Sequence, residues 1–195
     1  MVGLVGGAYV IGSIPFGIVA ARIFNVQDPR RAGSGNIGFT NVLRVAGKKA
    51  GFLTLVGDSG KGFLVASLGK HLIVHDYWIL IVALAVIIGH IFSCFLSFHG
   101  GKGVATGLGT IFGLDGWLGL ILLLIWLGIF LIWRYSSASA IGAFALFPIL
   151  VFGFSYPLDL GVFSLCVSFL IIARHKDNIV RMLQGTESKI GMSSS

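Results

Sequence analysis

The sequence contains very few charged residues, and this scarcity decides the class of protein. Charged side chains make up 11% of the 195 residues, whereas a typical soluble domain has roughly 25%. Hydrophobic residues account for 56%, and the mean hydropathy is +0.97. So few charges cannot cover the surface of a soluble domain, and a disordered chain would be far more polar. The composition therefore indicates a polytopic, helical membrane protein.

Cysteine is also scarce, because the chain has only two. Cys94 and Cys166 both lie in apolar segments, where packed thiols are the simplest interpretation. Two cysteines exclude a disulfide scaffold, and the sequence has no Cys or His spacing that is typical of a metal site. We therefore expect no metal and no cofactor.

Acidic residues are half as frequent as basic ones, and glycine is abundant. Seven Asp and Glu stand against 14 Lys and Arg, which gives a net charge of +7, and 29 residues are glycine. Glycine is usually about 7% of a protein. A plain bundle of membrane helices needs neither surplus, so the positions of these residues should indicate function. A net charge of +7 could indicate a nucleic-acid partner, but positive charge placed on one side of a bilayer argues against one.

Apolar segments divide the chain into seven candidate membrane spans, since a span needs about 20 apolar residues. We predict an all-α fold in a single domain over 1–195. The first segment is interpreted as a span because it lacks the early Lys or Arg of a signal peptide. The segments are 2–24, 50–69, 77–97, 103–114, 117–133, 137–155 and 158–173.

Three of these spans are irregular. Segment 50–69 is interrupted by the polar run 57–62, and segment 158–173 is slightly short. Segment 103–114 would be about 18 Å long as a helix, against about 30 Å for the hydrocarbon core. Broken or short spans are tolerated only where protein or water satisfies the backbone. They therefore predict a polar cavity inside the bundle.

The basic residues lie in alternate loops, which predicts the orientation. Of the 14 Lys and Arg residues, twelve lie on one side, Lys61 lies within a span and Lys70 lies alone on the other side. Cytoplasmic loops carry the excess of Lys and Arg. We therefore expect the N-terminus outside and the C-terminus in the cytoplasm.

A first polar stretch, at 33–44, reads GSGNIGFTNVLR. Its glycines allow the backbone to approach a ligand and to present several N–H groups together. Its last polar residues are spaced to share one face of a helix. A flexible loop is the alternative. The candidate ligand-binding residues are Ser34, Gly35, Asn36, Thr40, Asn41 and Arg44.

A second stretch, at 89–106, reads GHIFSCFLSFHGGKGVAT. A glycine loop with one lysine that opens a helix suits phosphate, because helix N–H groups and the helix dipole favour an anion. The lysine is followed by glycine, which excludes a Walker A loop and argues against a nucleotide substrate. The alternatives are a tight turn and, for the first histidine, a hydrogen bond within the bundle. The candidates are His90, Ser93, Gly100, Gly101, Lys102 and Gly103.

A third stretch, at 174–189, reads RHKDNIVRMLQGTESK. Arg174, Asn178 and Arg181 have the spacing of one helix face. An amphipathic helix at the membrane surface is the alternative. The candidates are His175, Asn178, Arg181 and Glu187.

Two further pairs of ionisable residues stand apart from these stretches. Asp58 and Lys61 lie three residues apart within a predicted span, where such a pair is costly unless it is paired or functional. A contact with substrate and a mutual ion pair both remain open. His71 and Asp76 have the His-x4-Asp spacing of acyl-CoA-using glycerolipid acyltransferases, but the predicted orientation places them outside, so we expect no catalytic role.

Together the three stretches resemble the PlsY family of bacterial acyl-phosphate:glycerol-3-phosphate acyltransferases, and the resemblance covers essentially the whole chain. Phe39 departs from the small residue expected there. The resemblance implies that a fatty acyl group passes from acyl phosphate to the 1-hydroxyl of glycerol 3-phosphate, giving lysophosphatidic acid and inorganic phosphate. It also implies a multi-pass protein of the bacterial inner membrane, with a cytoplasmic active site and without acyl-CoA or acyl carrier protein as direct donor.

The candidate residues suit that chemistry. Acyl phosphate is a mixed anhydride with a good leaving group, so positioning and electrostatic stabilisation suffice without a covalent enzyme intermediate. We expect Lys102 and its glycines to bind one phosphate and Arg44 the other, while His175 and Asn178 orient the attacking hydroxyl. His175 is the candidate base, and the acyl phosphate itself is the rival proton acceptor. The alternative function is a membrane transporter of an organic phosphate, and membrane lipid is a partner in either case.

Overall fold

The fold is all-helical in the part of the chain that the computed structural model describes, which is residues 1–73 and 75–190. The side chain of Asp76 is also outside the description, so the part of the His71 and Asp76 prediction that concerns Asp76 lies outside the described residues. These residues form nine α-helices and two short 3₁₀ turns, with no strand among them. The predicted all-α fold is confirmed.

Most of the helices follow one another closely, and the two long connections are 24–38 and 92–103. Their contacts divide the chain into two compact units, 1–119 and 120–195, and the single domain stays a prediction. The 3₁₀ turns are Pro29–Arg31 and Cys94–Leu96. The helices are α1 (Val2–Ser13), α2 (Phe16–Ile23), α3 (Phe39–Leu72), α4 (Asp76–Ile91), α5 (Val104–Leu114), α6 (Gly116–Trp133), α7 (Ser136–Gly153), α8 (Leu158–Ala173) and α9 (Lys176–Leu183).

Three segments of the described chain are long and apolar enough to cross a membrane: Tyr77–Leu96, α6 and α7. Two bent pairs, α1 with α2 and α8 with α9, raise the number to five if each pair is one span. Helix α5 has 11 residues, about 16 Å, so its predicted shortness is confirmed. The segment predicted at 50–69 lies inside α3 and is not among the five. The total of seven spans stays a prediction.

Helix α3 differs from the prediction for this region. It begins at Phe39 and not near residue 50, so the last part of the stretch 33–44 is helical, as its spacing predicts. It also stays helical through 57–62, where we expected an interruption. Its internal kink lies instead at Gly47, with φ 84° and ψ 179°, a conformation that glycine adopts without the steric cost of a Cβ.

The first span is broken between α1 and α2, at Ile14–Pro15. Two buried side chains bind the backbone carbonyls at this break. The Ser93 hydroxyl donates to the Ser13 carbonyl at 2.6 Å, and the Lys61 ammonium donates to the Ile14 carbonyl at 2.8 Å. An unsatisfied carbonyl costs several kcal/mol in a membrane, so these contacts stabilise the break.

Glycines allow α3 and α5 to approach each other closely. A Cβ on Gly62 would overlap the carbonyl oxygen of Thr106, and a Cβ on Gly109 would overlap that of Ser59. Small residues at such contacts are typical of membrane helices. Gly60, on the same helix, would have no atom near an added Cβ. Part of the glycine surplus therefore serves helix packing.

The second unit has its own aromatic core between α7 and α8. The ring of Phe147 packs edge-on against those of Phe144 and Phe163, and all three are buried. The Ser168 hydroxyl, on α8, donates to the Phe144 carbonyl on α7. This core joins the two helices.

Exposed apolar side chains form the outer surface of the membrane helices. On α6, Trp117 is 76% exposed and Trp133 is 55% exposed. Cys94 and Cys166 are also exposed, so the prediction of packed thiols is wrong. A thiol behaves as a small apolar group. The lipid around a membrane protein is apolar as its core is, so an exposed thiol on a membrane helix is still in an apolar environment.

We predict that Gly62→Ala lowers the thermal unfolding temperature of the detergent-solubilised protein. The added methyl group would overlap the Thr106 carbonyl, and overpacking of this kind costs about 1–3 kcal/mol. Gly60→Ala is the matched control on the same helix, and it should leave the temperature unchanged or raise it, because alanine favours a helix. Circular dichroism measures both, and equal temperatures for the two variants would contradict the close approach.

Candidate functional site

The predicted site residues form three local groups. The first surrounds the start of α3, and the second surrounds the glycine loop between α4 and α5; both belong to the unit 1–119. The third surrounds α9 in the unit 120–195. Each group is held together by hydrogen bonds within its own unit.

Asn41 organises the first group, and its side chain is almost fully buried. Its amide nitrogen donates to the carbonyl oxygens of Pro29 at 2.9 Å, Ala32 at 3.1 Å and Asn36 at 2.9 Å. Its amide oxygen accepts from the backbone N–H of Ser34 at 2.9 Å. With its amide engaged inside the chain, Asn41 fastens the preceding loop to α3.

The other members of the first group are more accessible. The side chains of Ser34 and Arg44 are exposed, and neither makes a hydrogen bond or ion pair with any residue that the structure describes. Thr40, one turn before Arg44, is half-buried. Gly35 turns the loop with φ 71°, and Asn36 is half-buried. The serine hydroxyl and the guanidinium group are therefore open to a ligand.

The glycine loop is fixed to the end of α4. The N–H of Gly100 donates to the Ile91 carbonyl, and the N–H of Gly101 donates to the His90 carbonyl, both at 3.0 Å. These two amides therefore shape the loop, whereas we expected them to face an anion. Gly103 has φ 86°, which favours glycine, and α5 begins at the next residue. The N–H groups in the first turn of α5 have no partner inside the helix.

Lys102 lies directly before this turn and is half-buried. A cation beside a helix N-terminus suits an anion, and the start of α5 after the glycines agrees with their spacing. The anion site itself stays a prediction. Thr106, in the same first turn, has a buried hydroxyl without a hydrogen-bond partner among the described residues. We did not predict Thr106 as a site residue, although a hydroxyl side chain just after a glycine loop was the available signal.

Asp58, Lys61 and His90 form a buried cluster, each at most 4% exposed. The Lys61 Nζ lies 2.9 Å from Asp58 Oδ1 and 3.0 Å from His90 Nδ1. It also lies 5.7 Å from the centroid of the Phe16 ring. The structure therefore favours the ion-pair interpretation over a contact with substrate. Ser93 is likewise engaged, at the break after α1.

Glu187 organises the third group. Its Oε1 accepts from Ser137 Oγ at 2.7 Å and from Asn178 Nδ2 at 2.6 Å, and its Oε2 accepts from Arg181 Nε at 2.7 Å. Burial alone would raise the pKa of Glu187, but these hydrogen bonds and the charge of Arg181 bring the pKa below its ordinary value. The carboxylate thus fastens the segment after α9 to both α7 and α9.

The helix face predicted for this third stretch is only partly formed. Helix α9 begins at Lys176 after a bend of 57°, so Arg174 lies at the end of α8 and outside α9. Asn178 and Arg181 do share a face, because both bind the same carboxylate. Ser137 was not predicted, and its position among the serines at the start of α7 was the one signal available.

His175 occupies the bend between α8 and α9 and is buried. Its Nδ1 lies 2.7 Å from the carbonyl oxygen of Ile171. A carbonyl oxygen can only accept, so Nδ1 carries a hydrogen, and in the neutral ring the lone pair is on Nε2. This is the tautomer that a base acting through Nε2 requires.

These features define an all-helical integral membrane protein with a glycine loop suited to an anion. The family model described as glycerol-3-phosphate acyltransferase matches residues 2–185, and the chain belongs to this family. The glycerol-3-phosphate acyltransferase of Nitrosospira multiformis is 43% identical, covering 100% of this chain and 98% of the relative. That of a Janthinobacterium species is 46% identical, covering 95% and 94%.

Two solved structures are also similar. Both are crystal structures of PlsY (YgiH), an integral membrane glycerol 3-phosphate acyltransferase, each 40% identical and covering 97% of this chain and 95% of that chain. The glycerol 3-phosphate form gives a TM-score of 0.92, and the lysophosphatidic acid form gives 0.90. The resemblance to the PlsY family is confirmed, and the roles of single residues remain predictions.

We predict that Glu187→Gln destabilises the protein by about 2 kcal/mol at neutral pH, the contribution of hydrogen bonds to a charged group. Because the pKa of Glu187 is lowered by folding, its stabilisation is fully present above the unfolded-state pKa of about 4.3. It is lost as the pH falls through the folded-state value. Thermal unfolding over this pH range should therefore show the wild type and the variant converging in acid.

Asp159→Asn, which neutralises an exposed carboxylate in the same unit, is the control for this experiment. Asp159 lies in the first turn of α8, where a carboxylate contributes less than about 1 kcal/mol, so at neutral pH this variant should differ from the wild type by less than Glu187→Gln does. A difference between Glu187→Gln and the wild type that stays constant into acid would contradict the charge-dependent role.

Proposed function

We propose that the chain transfers a fatty acyl group from acyl phosphate to the 1-hydroxyl of glycerol 3-phosphate, giving lysophosphatidic acid and inorganic phosphate. The observation that carries this proposal is the position of Lys102, directly before the first turn of α5, where a cation and helix N–H groups adjoin. Both substrates are phosphates. The name of the family and the solved glycerol 3-phosphate form of the similar protein support the acceptor.

The reaction proceeds by direct attack. The 1-hydroxyl oxygen of glycerol 3-phosphate bonds to the acyl carbon, the bond from that carbon to the phosphate oxygen breaks, and the phosphate leaves with the electron pair. Because the mixed anhydride already has a good leaving group, no covalent enzyme intermediate is needed. The protein contributes positioning and stabilisation of developing negative charge.

Two cations, one in each polar stretch of the unit 1–119, are the phosphate ligands in this proposal. Lys102 binds one phosphate, and Arg44, whose exposed guanidinium group can make paired hydrogen bonds to phosphate oxygens, binds the other. Ser34, in the loop that precedes α3, adds an exposed hydroxyl. Thr106, with its unpartnered hydroxyl, joins Lys102 in the first turn of α5.

His175 accepts the hydroxyl proton in this proposal, with the acyl phosphate as the rival acceptor. Its support is the Nδ1 hydrogen bond to the Ile171 carbonyl, which leaves the lone pair on Nε2. Asn178 and Arg181, both held by Glu187, stiffen the turn of α9 that follows His175.

We also propose that the protein spans the bacterial inner membrane seven times, with the active site facing the cytoplasm. The support is the distribution of charge, since twelve of the 14 basic residues fall on the predicted cytoplasmic side. In this orientation glycerol 3-phosphate enters from the cytosol, and the acyl chain lies among the apolar helices.

We predict that the purified protein releases inorganic phosphate only when acyl phosphate and glycerol 3-phosphate are both present. Lys102→Met should lower kcat/KM by about 10²–10³-fold, the usual effect of removing one donor aimed at developing charge. Lys49→Met, at an exposed lysine, is the matched control and should retain activity.

Three results would contradict this proposal. Lysophosphatidic acid formed from acyl-CoA and not from acyl phosphate would overturn the donor, and full activity of Lys102→Met would overturn the phosphate site. Uptake of glycerol 3-phosphate into vesicles without phosphate release would favour the transporter.

We predict that His175→Ala lowers kcat by about 10²–10⁴-fold, the range for loss of a general base. The acid limb of the pH profile of kcat should disappear with it, because that limb reports the base. His71→Ala, at an exposed histidine, serves as control. Near-normal turnover of His175→Ala would transfer the role of proton acceptor to the acyl phosphate.

A further inference from the structure

The buried cluster of Asp58, Lys61 and His90 lies directly against the glycine loop. We propose that it is a positioning element, which holds the loop so that Lys102 meets its phosphate, and that none of its three members contacts substrate. This inference rests on the proposed function and adds to it what determines the position of the phosphate-binding lysine.

His90 contacts the loop through both its backbone and its ring. Its carbonyl oxygen accepts the N–H of Gly101 at 3.0 Å. Its imidazole lies so close to Gly101 that an added Cβ would overlap the ring, and a Cβ on Gly100 would overlap the His90 carbonyl. Lys102 directly follows Gly101 in the chain. The position of His90 therefore determines the position of the Lys102 backbone.

The ring of His90 is itself held by buried charge. The Lys61 ammonium donates to the Ile14 carbonyl at 2.8 Å, forms an ion pair with Asp58 Oδ1 at 2.9 Å and lies 3.0 Å from His90 Nδ1. The ammonium is thus surrounded by groups of the chain itself, and Lys61 is only 4% exposed. Asp58 Oδ1 also lies 3.4 Å from His90 Nδ1. These contacts hold the ring of His90 beside both charged groups, and the burial of Lys61 in its ion pair separates it from substrate.

The far end of the loop is held by helix packing. Helix α5 packs backbone to backbone on α3 at Gly62 and at Gly109, and α3 is the helix that carries Asp58 and Lys61. The loop is thus clamped by His90 at its start and by α5 at its end. Loss of the charge pair should release the ring of His90 and leave α5 in place.

The experiment compares Lys61→Met with Lys70→Met. Both replacements lie on α3, and both lysines donate to a backbone carbonyl, Lys70 to that of Leu114 at 2.8 Å, so the chemical change is matched. The double variant Asp58→Asn/Lys61→Met removes both charges and leaves no unpaired carboxylate, which keeps the test valid if the single variant does not fold. The readouts are amide hydrogen exchange of the peptide 98–103 and kcat/KM.

We expect faster exchange at 98–103 in the cluster variants and a fall in kcat/KM of about 10²-fold, the effect of misplacing a reacting group by about 1 Å. Lys70→Met should match the wild type in both. In a Lys102→Met background the Lys61→Met change should cause little further loss, because the cluster acts through Lys102.

Unchanged exchange at 98–103 in the cluster variants would overturn the inference, and so would a full, additive loss of activity in the Lys102→Met background. Hydrogen exchange does not depend on the reaction. If the wild type does not use acyl phosphate but the cluster variants still exchange faster at 98–103, the positioning role of the cluster is upheld. Only the proposed function is then overturned.

Discussion

A single ammonium group, buried among membrane helices, joins most of the elements of the unit 1–119. A charge in an apolar environment is tolerated only when it is paired and hydrogen-bonded. Lys61 meets this requirement with a carboxylate one helical turn away, a carbonyl at the break of the first span and a ring at the end of α4. The same contacts also stabilise the break in the first span, because the backbone carbonyls at a break need a hydrogen-bond donor. One side chain therefore stabilises the break and connects it to the helix that leads into the glycine loop.

Hydrogen-bonding capacity separates the structural polar residues from the accessible ones in this unit. Asn41 and Ser93 donate to carbonyls within the chain, and their burial is possible because they do so. Ser34 and Arg44 remain at the surface with polar groups open to a ligand. Several of the residues selected as ligands from the polar sequence stretches are therefore supports for the loops that carry the accessible ones. Glu187 has the same supporting role in the unit 120–195, where it joins α7 to α9.

The sequence predicted what local spacing and hydropathy control, and it failed where distant residues decide. The short α5 opened by a glycine loop was predictable, because glycine conformation and helix dipole are local properties. The pairing of Asp58 with Lys61 was also open to prediction from their spacing. The third partner, His90, comes from another helix, and no periodicity indicates such a contact. The expected interruption at 57–62 was wrong for a related reason: packing against α5 keeps that glycine-rich run helical, whereas the kink at Gly47 follows from a left-handed backbone that composition does not reveal.

The two exposed tryptophans of α6 have a consequence for the lipid around the protein. Trp117 and Trp133 lie near the two ends of the helix, about 24 Å apart along its axis, and tryptophan prefers the interface between headgroups and hydrocarbon. That distance is shorter than the hydrocarbon thickness of an average bilayer, about 30 Å. A span shorter than the bilayer is accommodated by local thinning of the bilayer, by snorkelling of flanking side chains or by oligomerisation, each at a small cost for each ångström of hydrophobic mismatch. The length of the acyl chains in the surrounding lipid therefore affects the hydrophobic mismatch of α6. This effect is separate from that of any acyl chain that the protein binds as substrate.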